Sequence, residues 1–404
     1  MAQPLPRLRN TLEFMPSPVE GRPGLLIRDP FHYSDATLII PPALVEALQW
    51  FDGEHTELDL REYLVRLTGD LRVSELQQHL ARSLSEAGFL ENEVFAAQRD
   101  RRQREFAAAP RREATQAGVA YPEEPEVLRA TLDEWLAEAP RPASGDWIGL
   151  AAPHVSPAGG RRCYAAAYGA LAPPRRDQVF VILGTSHFGD PERFGLTLKN
   201  YATPLGEATT ERALAEWLIA RAGPAVKLED YCHAIEHSLE LQVVFLQRVC
   251  GADARVLPIL CGPFACSIQQ GRRPEEDAGV EQFLAALGEL AEREGQRLFW
   301  VLGVDLAHMG RRYGDPFTAR AAQGEMRTVE ETDRRRLAHI LEGDAAGFWE
   351  AVREDRDPLK WCGASAFYTF LKAVPRARGE LLGYEQWNID EASVVSFAAL
   401  AFRG

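Results

Sequence analysis

The stretch Val179-Phe180-Val181-Ile182-Leu183-Gly184-Thr185-Ser186-His187 decides how the rest of the chain is read. An unbroken apolar run, closed by glycine and small polar residues, marks a strand buried on both faces, as in a parallel sheet covered by helices. It ends in a histidine. Two further stretches repeat the design, Trp147-Ile148-Gly149-Leu150-Ala151-Ala152-Pro153-His154 and Phe299-Trp300-Val301-Leu302-Gly303-Val304-Asp305-Leu306-Ala307-His308. In open α/β sheets the ligand crevice lies beyond the carboxyl ends of the strands, so three strands that each deliver an imidazole there converge on one site. The competing reading, a histidine that caps its strand or satisfies a loop backbone, is the better one for any single case and the weaker one for three in equivalent places.

Working outward, helical patterns at 127–138, 165–171, 211–222, 238–249, 280–294, 328–341 and 345–353 alternate with apolar strand-like runs. The run 254–262 contains Pro258, which argues for an edge or bulged strand. Residues 195–199 and 201–205 suggest an antiparallel excursion, and 392–402 a last strand. This alternation predicts an α/β fold, a mostly parallel sheet with helices on both faces. Residues 1–95 read differently: short strands at 25–30 and 36–40, a helix opened by Pro41-Pro42, the turn Phe51-Asp52-Gly53, helices at 57–67 and 73–87, and a closing Gly88-Phe89-Leu90. That is the outline of a small winged-helix-like α+β domain. Residues 96–110 read as a linker, and its basic cluster from Arg99 to Arg104, with Arg111 and Arg112, as a solvated helix.

The 404 residues, 46% hydrophobic and 26% charged, suit a two-domain globular protein, and the formal charge of −14 argues against nucleic acid as a partner. No apolar run is long enough for a membrane span and residues 1–10 lack a signal-peptide core, so a cytoplasmic location is expected. The six cysteines form no CxxC pair, which removes zinc-ribbon and thioredoxin-like readings and leaves reduced thiols. Cys362 stands apart because it precedes an apolar helix-like run, 366–373, and a helix N-terminus favours the thiolate that metals bind. The stretch His233-Ala234-Ile235-Glu236-His237 matches the inverted zinc-protease signature, in which two histidines share a helix face and Glu236 acts as general base. A third ligand for that site cannot be placed, and the strand-end histidines would have no purpose.

Five motifs, Pro153-His154, Gly184-Thr185-Ser186-His187, Glu236-His237-Ser238-Leu239-Glu240, Asp305-Leu306-Ala307-His308-Met309-Gly310 and Cys362-Gly363, resemble in order and approximate spacing the Memo family, also called AmmeMemoRadiSam system protein B. The segment 112–121 is similar to that family's opening, so the resemblance covers 111–404. It implies a class III extradiol dioxygenase-like fold with a metal pocket at the strand ends, ligands His154, His187 and Cys362, and His308 and His237 lining the pocket. Phe51-Asp52-Gly53, the helix pair and Gly88-Phe89-Leu90 more loosely resemble PqqD-like peptide-recognition domains. Two imidazoles and a thiolate leave coordination positions open and suit one transition metal ion: iron or copper where oxygen is activated, zinc otherwise. In this arrangement His308 is the natural acid/base, Asp305 a carboxylate fixing a histidine tautomer or else a strand-end cap, and Glu236 and Glu240 supporting carboxylates or else a solvated helix face.

The chain departs from the family pattern at Val155-Ser156, Phe188 and Gln116, which bears on pocket polarity and hence on substrate. Two functions stay open: a metal-dependent oxidoreductase acting on an aromatic or peptide-borne group that the N-terminal module presents, and a non-catalytic peptide-binding scaffold.

Overall fold

The computed structural model describes residues 4–138, 145–171, 175 and 177–404. The chain divides into two compact units, one ending at Ala108 and the other beginning at Ala109. In the first, strands Glu13–Pro16, Leu25–Arg28 and Thr37–Ile40 form an antiparallel sheet in that order, and helices Glu57–Thr68, Ser74–Glu86 and Glu93–Ala108 follow. The Pro41-Pro42 segment gives two short 3-10 turns rather than an α-helix. Leu60, Leu64, Leu80 and Leu84, at helical spacing, close over Ile27, Phe51 and Phe89. The buried Arg9 guanidinium donates to both Asp29 carboxylate oxygens at 3.0 Å and to the Gly88 carbonyl. The stretch read as a linker is mostly the Glu93–Ala108 helix.

The second unit carries a sheet of 12 strands among the described residues. At its centre Trp147–Ala152, Leu298–Gly303, Val179–Thr185 and Arg255–Cys261 lie side by side and parallel. Alternation along these strands feeds two cores. Val179, Val181, Leu183, Trp300 and Leu302 face one; Phe180, Ile182, Phe299 and Val301 face the other. Helices Arg212–Ile219, Ala278–Glu294, Glu325–Leu341, Ala345–Arg353 and Ala364–Ala373 cover the first face, and Pro125–Ala137, Pro157–Gly169 and Ser238–Cys250 the second. A fully buried Val, Leu or Ile contributes about 1.5–3 kcal/mol, so this double burial is what makes the continuous apolar runs strands.

Two expectations are corrected. Pro258 lies in an interior strand, not at an edge. Arg255–Val256 pair with Thr209–Thr210, and Ile259–Cys261 pair with Phe194–Leu196, so Pro258 falls between two partners where no N–H is required. The third histidine does not end its strand: Leu298–Gly303 stops five residues earlier, and His308 opens the separate strand His308–Gly310, antiparallel to Ser393–Arg403. The strand Arg378–Asn388, which the sequence reading lacks, pairs with Ser393–Arg403. Among the described residues no helix is long and apolar enough to cross a membrane.

Candidate metal centre

Beyond the ends of the parallel strands three imidazoles converge. One ring nitrogen from each of His154, His187 and His237 lies within 4.8 Å of the others. Trp147–Ala152 and Val179–Thr185 flank Leu298–Gly303, so His154 and His187 lean towards each other across the end of the strand between them, and their ring centroids are 4.9 Å apart. The glycines there are required by packing. A Cβ on Gly303 would run into the Ser238 carbonyl and one on Gly184 would come within 2.6 Å of Ser238 Oγ, so glycine lets the Ser238–Cys250 helix start directly on the strand ends. Ser238 Oγ donates to the Thr185 carbonyl at 2.7 Å and Gln242 Nε2 to the Pro153 carbonyl at 2.9 Å, fixing that helix to the segments that carry His187 and His154.

Each ring is oriented through Nδ1. His154 Nδ1 lies 3.0 Å from the Gly303 carbonyl. The Nδ1 atoms of His187 and His237 each lie 3.1 Å from Glu236 Oε1. With Nδ1 engaged, Nε2 is the nitrogen left to coordinate a metal, which is how metal-binding histidines are held. Glu236 is buried, and its carboxylate also accepts the backbone N–H groups of His187, His237 and Ser238. Burial opposes its charge, but His187 and His237 outweigh that and hold its carboxyl well below the usual range. His187 and His237 expose 29% and 34% of their side chains, enough for a ligand to reach them, whereas His154 is enclosed.

The three-histidine group does not include Cys362, the ligand expected beside His154 and His187, which lies next to it in the turn before helix Ala364–Ala373. Its Sγ lies 3.4 Å from His154 Nε2. Burial alone would raise the thiol's pKa; the facing imidazoles of His154 and His308, with a hydrogen bond from His187, outweigh it and hold Cys362 well below an ordinary thiol. His154 is correspondingly pushed up to about 9, because Asp305 and Cys362 overcome the effect of its burial. Loss of hydration likewise disfavours charge on His187, yet Glu236 and Cys362 hold its pKa well above the ordinary imidazole value. Asp305 accepts the His154 backbone N–H at 3.0 Å, and its other oxygen lies 3.5 Å from Nε2. The His154 tautomer is therefore set by the Gly303 carbonyl, not by Asp305. His308 faces the Cys362 thiol, with its Nδ1 3.0 Å from the Leu306 carbonyl and its ring edge-on to Tyr313.

The protease reading fails on backbone geometry. Helix Cys232–Ile235 ends before Glu236, which is extended at φ −77°, ψ 136°, and a new helix begins at Ser238, so His233 and His237 share no helix face. His233 is fully buried with Nδ1 2.6 Å from the Tyr201 hydroxyl, and burial lowers its pKa to about 4.

Glu240 does not touch the histidines. Its buried carboxylate pairs with Arg112 and accepts from the Tyr121 hydroxyl and the backbone of Thr115 and Gln116. Arg112 also donates to the carbonyls of His233 and Glu236, both at 2.8 Å, and so anchors the backbone of the residue that orients two of the rings. Arg112 is thus a fully enclosed cation, not part of a solvated basic cluster. Its isolation from any apolar pattern hid this role; in the sequence it stood only in the segment 112–121 that is similar to the family's opening and in the basic cluster.

A parallel sheet with three histidines converging beyond its carboxyl edge defines an α/β protein whose strand ends carry a group compatible with metal binding. The Memo-like protein family model matches residues 112–401. A MEMO1 family protein of Aquifex aeolicus is 24% identical over 388 residues, covering 93% of this chain and 95% of its own length, so most of the first unit is matched as well. A MEMO1 family protein of Thermococcus kodakarensis is 30% identical over 56% of this chain and 76% of its own length, and one of Pyrococcus abyssi 28% identical over 71% and 97%. The chain belongs to the Memo family.

Proposed function

We propose that the second unit is a mononuclear metal-dependent oxidoreductase that holds one transition metal ion between His154, His187 and Cys362, with His237 beside them. The observation that carries this reading is the convergence of three imidazoles, each with Nδ1 engaged elsewhere, with the Cys362 thiol 3.4 Å from His154 Nε2 and held low in pKa. The donor set fits such an ion: neutral imidazole and thiolate suit copper, iron or zinc, and iron or copper would supply one-electron and oxygen chemistry when bound. The chain's own residues do the rest. Glu236 and the Gly303 carbonyl fix the rings, and His308, facing Cys362, serves as proton donor and acceptor to a substrate.

The substrate class proposed is aromatic or peptide-borne. The first unit supports the peptide alternative with an open groove of about 530 Å³ lined by Phe14, Leu25, Val45, Leu48 and Phe51 and edged by Arg7, Asp52 and Glu54. The test is oxygen uptake by iron-loaded and copper-loaded protein with aromatic diols and with tyrosine-containing peptides. Uptake lost in His308→Gln at unchanged metal content supports the oxidoreductase. Metal retained with no uptake on any substrate, while peptides bind, favours a binding scaffold.

A further inference from the structure

Another buried carboxylate, on no motif, is tied to the segments that carry Cys362 and His308. Asp333, on the Glu325–Leu341 helix, is fully enclosed, and its described hydrogen-bond partners are neutral. The Trp361 indole N–H donates to its Oδ1 at 2.7 Å, and the hydroxyls of Ser396 and Tyr384 donate to Oδ2 at 2.6 and 2.8 Å. Enclosing a carboxylate among neutral donors is costly, so what those donors hold is informative. Trp361 immediately precedes Cys362. Ser396 Oγ accepts the Ala307 N–H at 2.9 Å, and the Ser396 backbone pairs on both sides with Leu306 and Ala307. One carboxylate therefore grips both the turn carrying Cys362 and the segment carrying Asp305 and His308, which are far apart in sequence. The two segments also touch directly, through Gly363 N–H to the Asp305 carbonyl at 3.1 Å and His308 N–H to the Leu359 carbonyl at 2.9 Å.

We propose that Asp333 is a positioning residue for the metal centre, holding Cys362 in register with Asp305 and His308 by accepting from Trp361 and Ser396. This rests on the metal-binding reading above, although its geometric half does not. Tyr384, on the Arg378–Asn388 strand, binds the same carboxylate but belongs to neither segment, and so provides the control.

The experiment compares Trp361→Phe, Asp333→Asn and Tyr384→Phe in the full chain. Two readouts are taken: the rate of Cys362 alkylation by iodoacetamide in metal-free protein, resolved from the other cysteines by peptide mass spectrometry, and Co²⁺ affinity with the thiolate-to-metal absorption band. Trp361→Phe and Asp333→Asn are expected to raise the alkylation rate several-fold and weaken Co²⁺ binding by about 10–100-fold, the usual effect of losing a group that supports a ligand. Tyr384→Phe is expected to leave both near wild type. Unchanged alkylation and affinity in Trp361→Phe, or equal effects in all three variants, overturn the proposal. If Trp361→Phe does not fold, Asp333→Asn, which keeps the side-chain shape, decides. If wild-type protein takes up no Co²⁺, the metal reading fails and the alkylation rates alone decide this one.

Discussion

Replacing Arg112 with methionine keeps much of its length and removes its charge, leaving the Glu240 carboxylate enclosed without a counter-ion; both side chains are fully buried. Breaking such a pair from one side costs about 3–5 kcal/mol, because the partner's desolvation is no longer compensated. The carbonyls of His233 and Glu236 lose their donors in the same step. For a unit of this size the loss corresponds to a fall in Tm of roughly 5–8 °C. Scanning calorimetry of the full chain reads it in the transition of the larger unit. Glu240→Gln alone should also destabilise, and the double variant Arg112→Met/Glu240→Gln should recover part of the summed loss, since the two groups act through each other. A single Arg112→Met variant within about 1 kcal/mol of wild type, or a cycle additive to about 0.5 kcal/mol, refutes the reasoning.

Other outcomes follow from the same geometry. Glu236→Gln keeps the shape of the side chain that orients His187 and His237 but removes its charge; metal affinity, measured by competition with a chromophoric chelator, should fall about 10–100-fold, and an unchanged affinity counts against its role. Asp333 titrates near 6 rather than 3.8 because burial outweighs its hydrogen bonds from Ser396, Trp361 and Tyr384 and the nearby charge of Arg336. The fold thus prefers the protonated carboxyl, a contribution complete below about pH 3.8 and lost as pH rises through about 6. Asp333→Asn stays neutral, so its stability relative to wild type should rise by about 3 kcal/mol across that window, about half of it between pH 5 and 7.5. Parallel pH profiles for the two proteins would contradict this.

The parallel sheet was legible because burial on both faces writes itself as continuous apolar runs, and because His154 and His187 follow their strands directly. His308 misled, since an apolar run shows where a strand lies but not where it stops, and Gly303 ends it early to admit Ser238. The H-x-x-E-H spacing suggested one helix; the demand of Glu236 for five donors from two segments breaks it into two. The buried roles of Arg112 and Asp333 were hidden for a common reason. A buried charge is recognised by its partners, and those partners lie 128 residues away for Arg112 and 28 and 63 residues away for Asp333.

The central claim is tested most directly by metal content. Elemental analysis of the purified full chain, after loading with iron, copper or zinc and removal of excess, should give about one equivalent per chain for the wild type and near zero for His187→Ala and Cys362→Ser, with both variants folded by circular dichroism. A full equivalent retained in both variants would show that the ion, if it has a place in this protein, is held elsewhere.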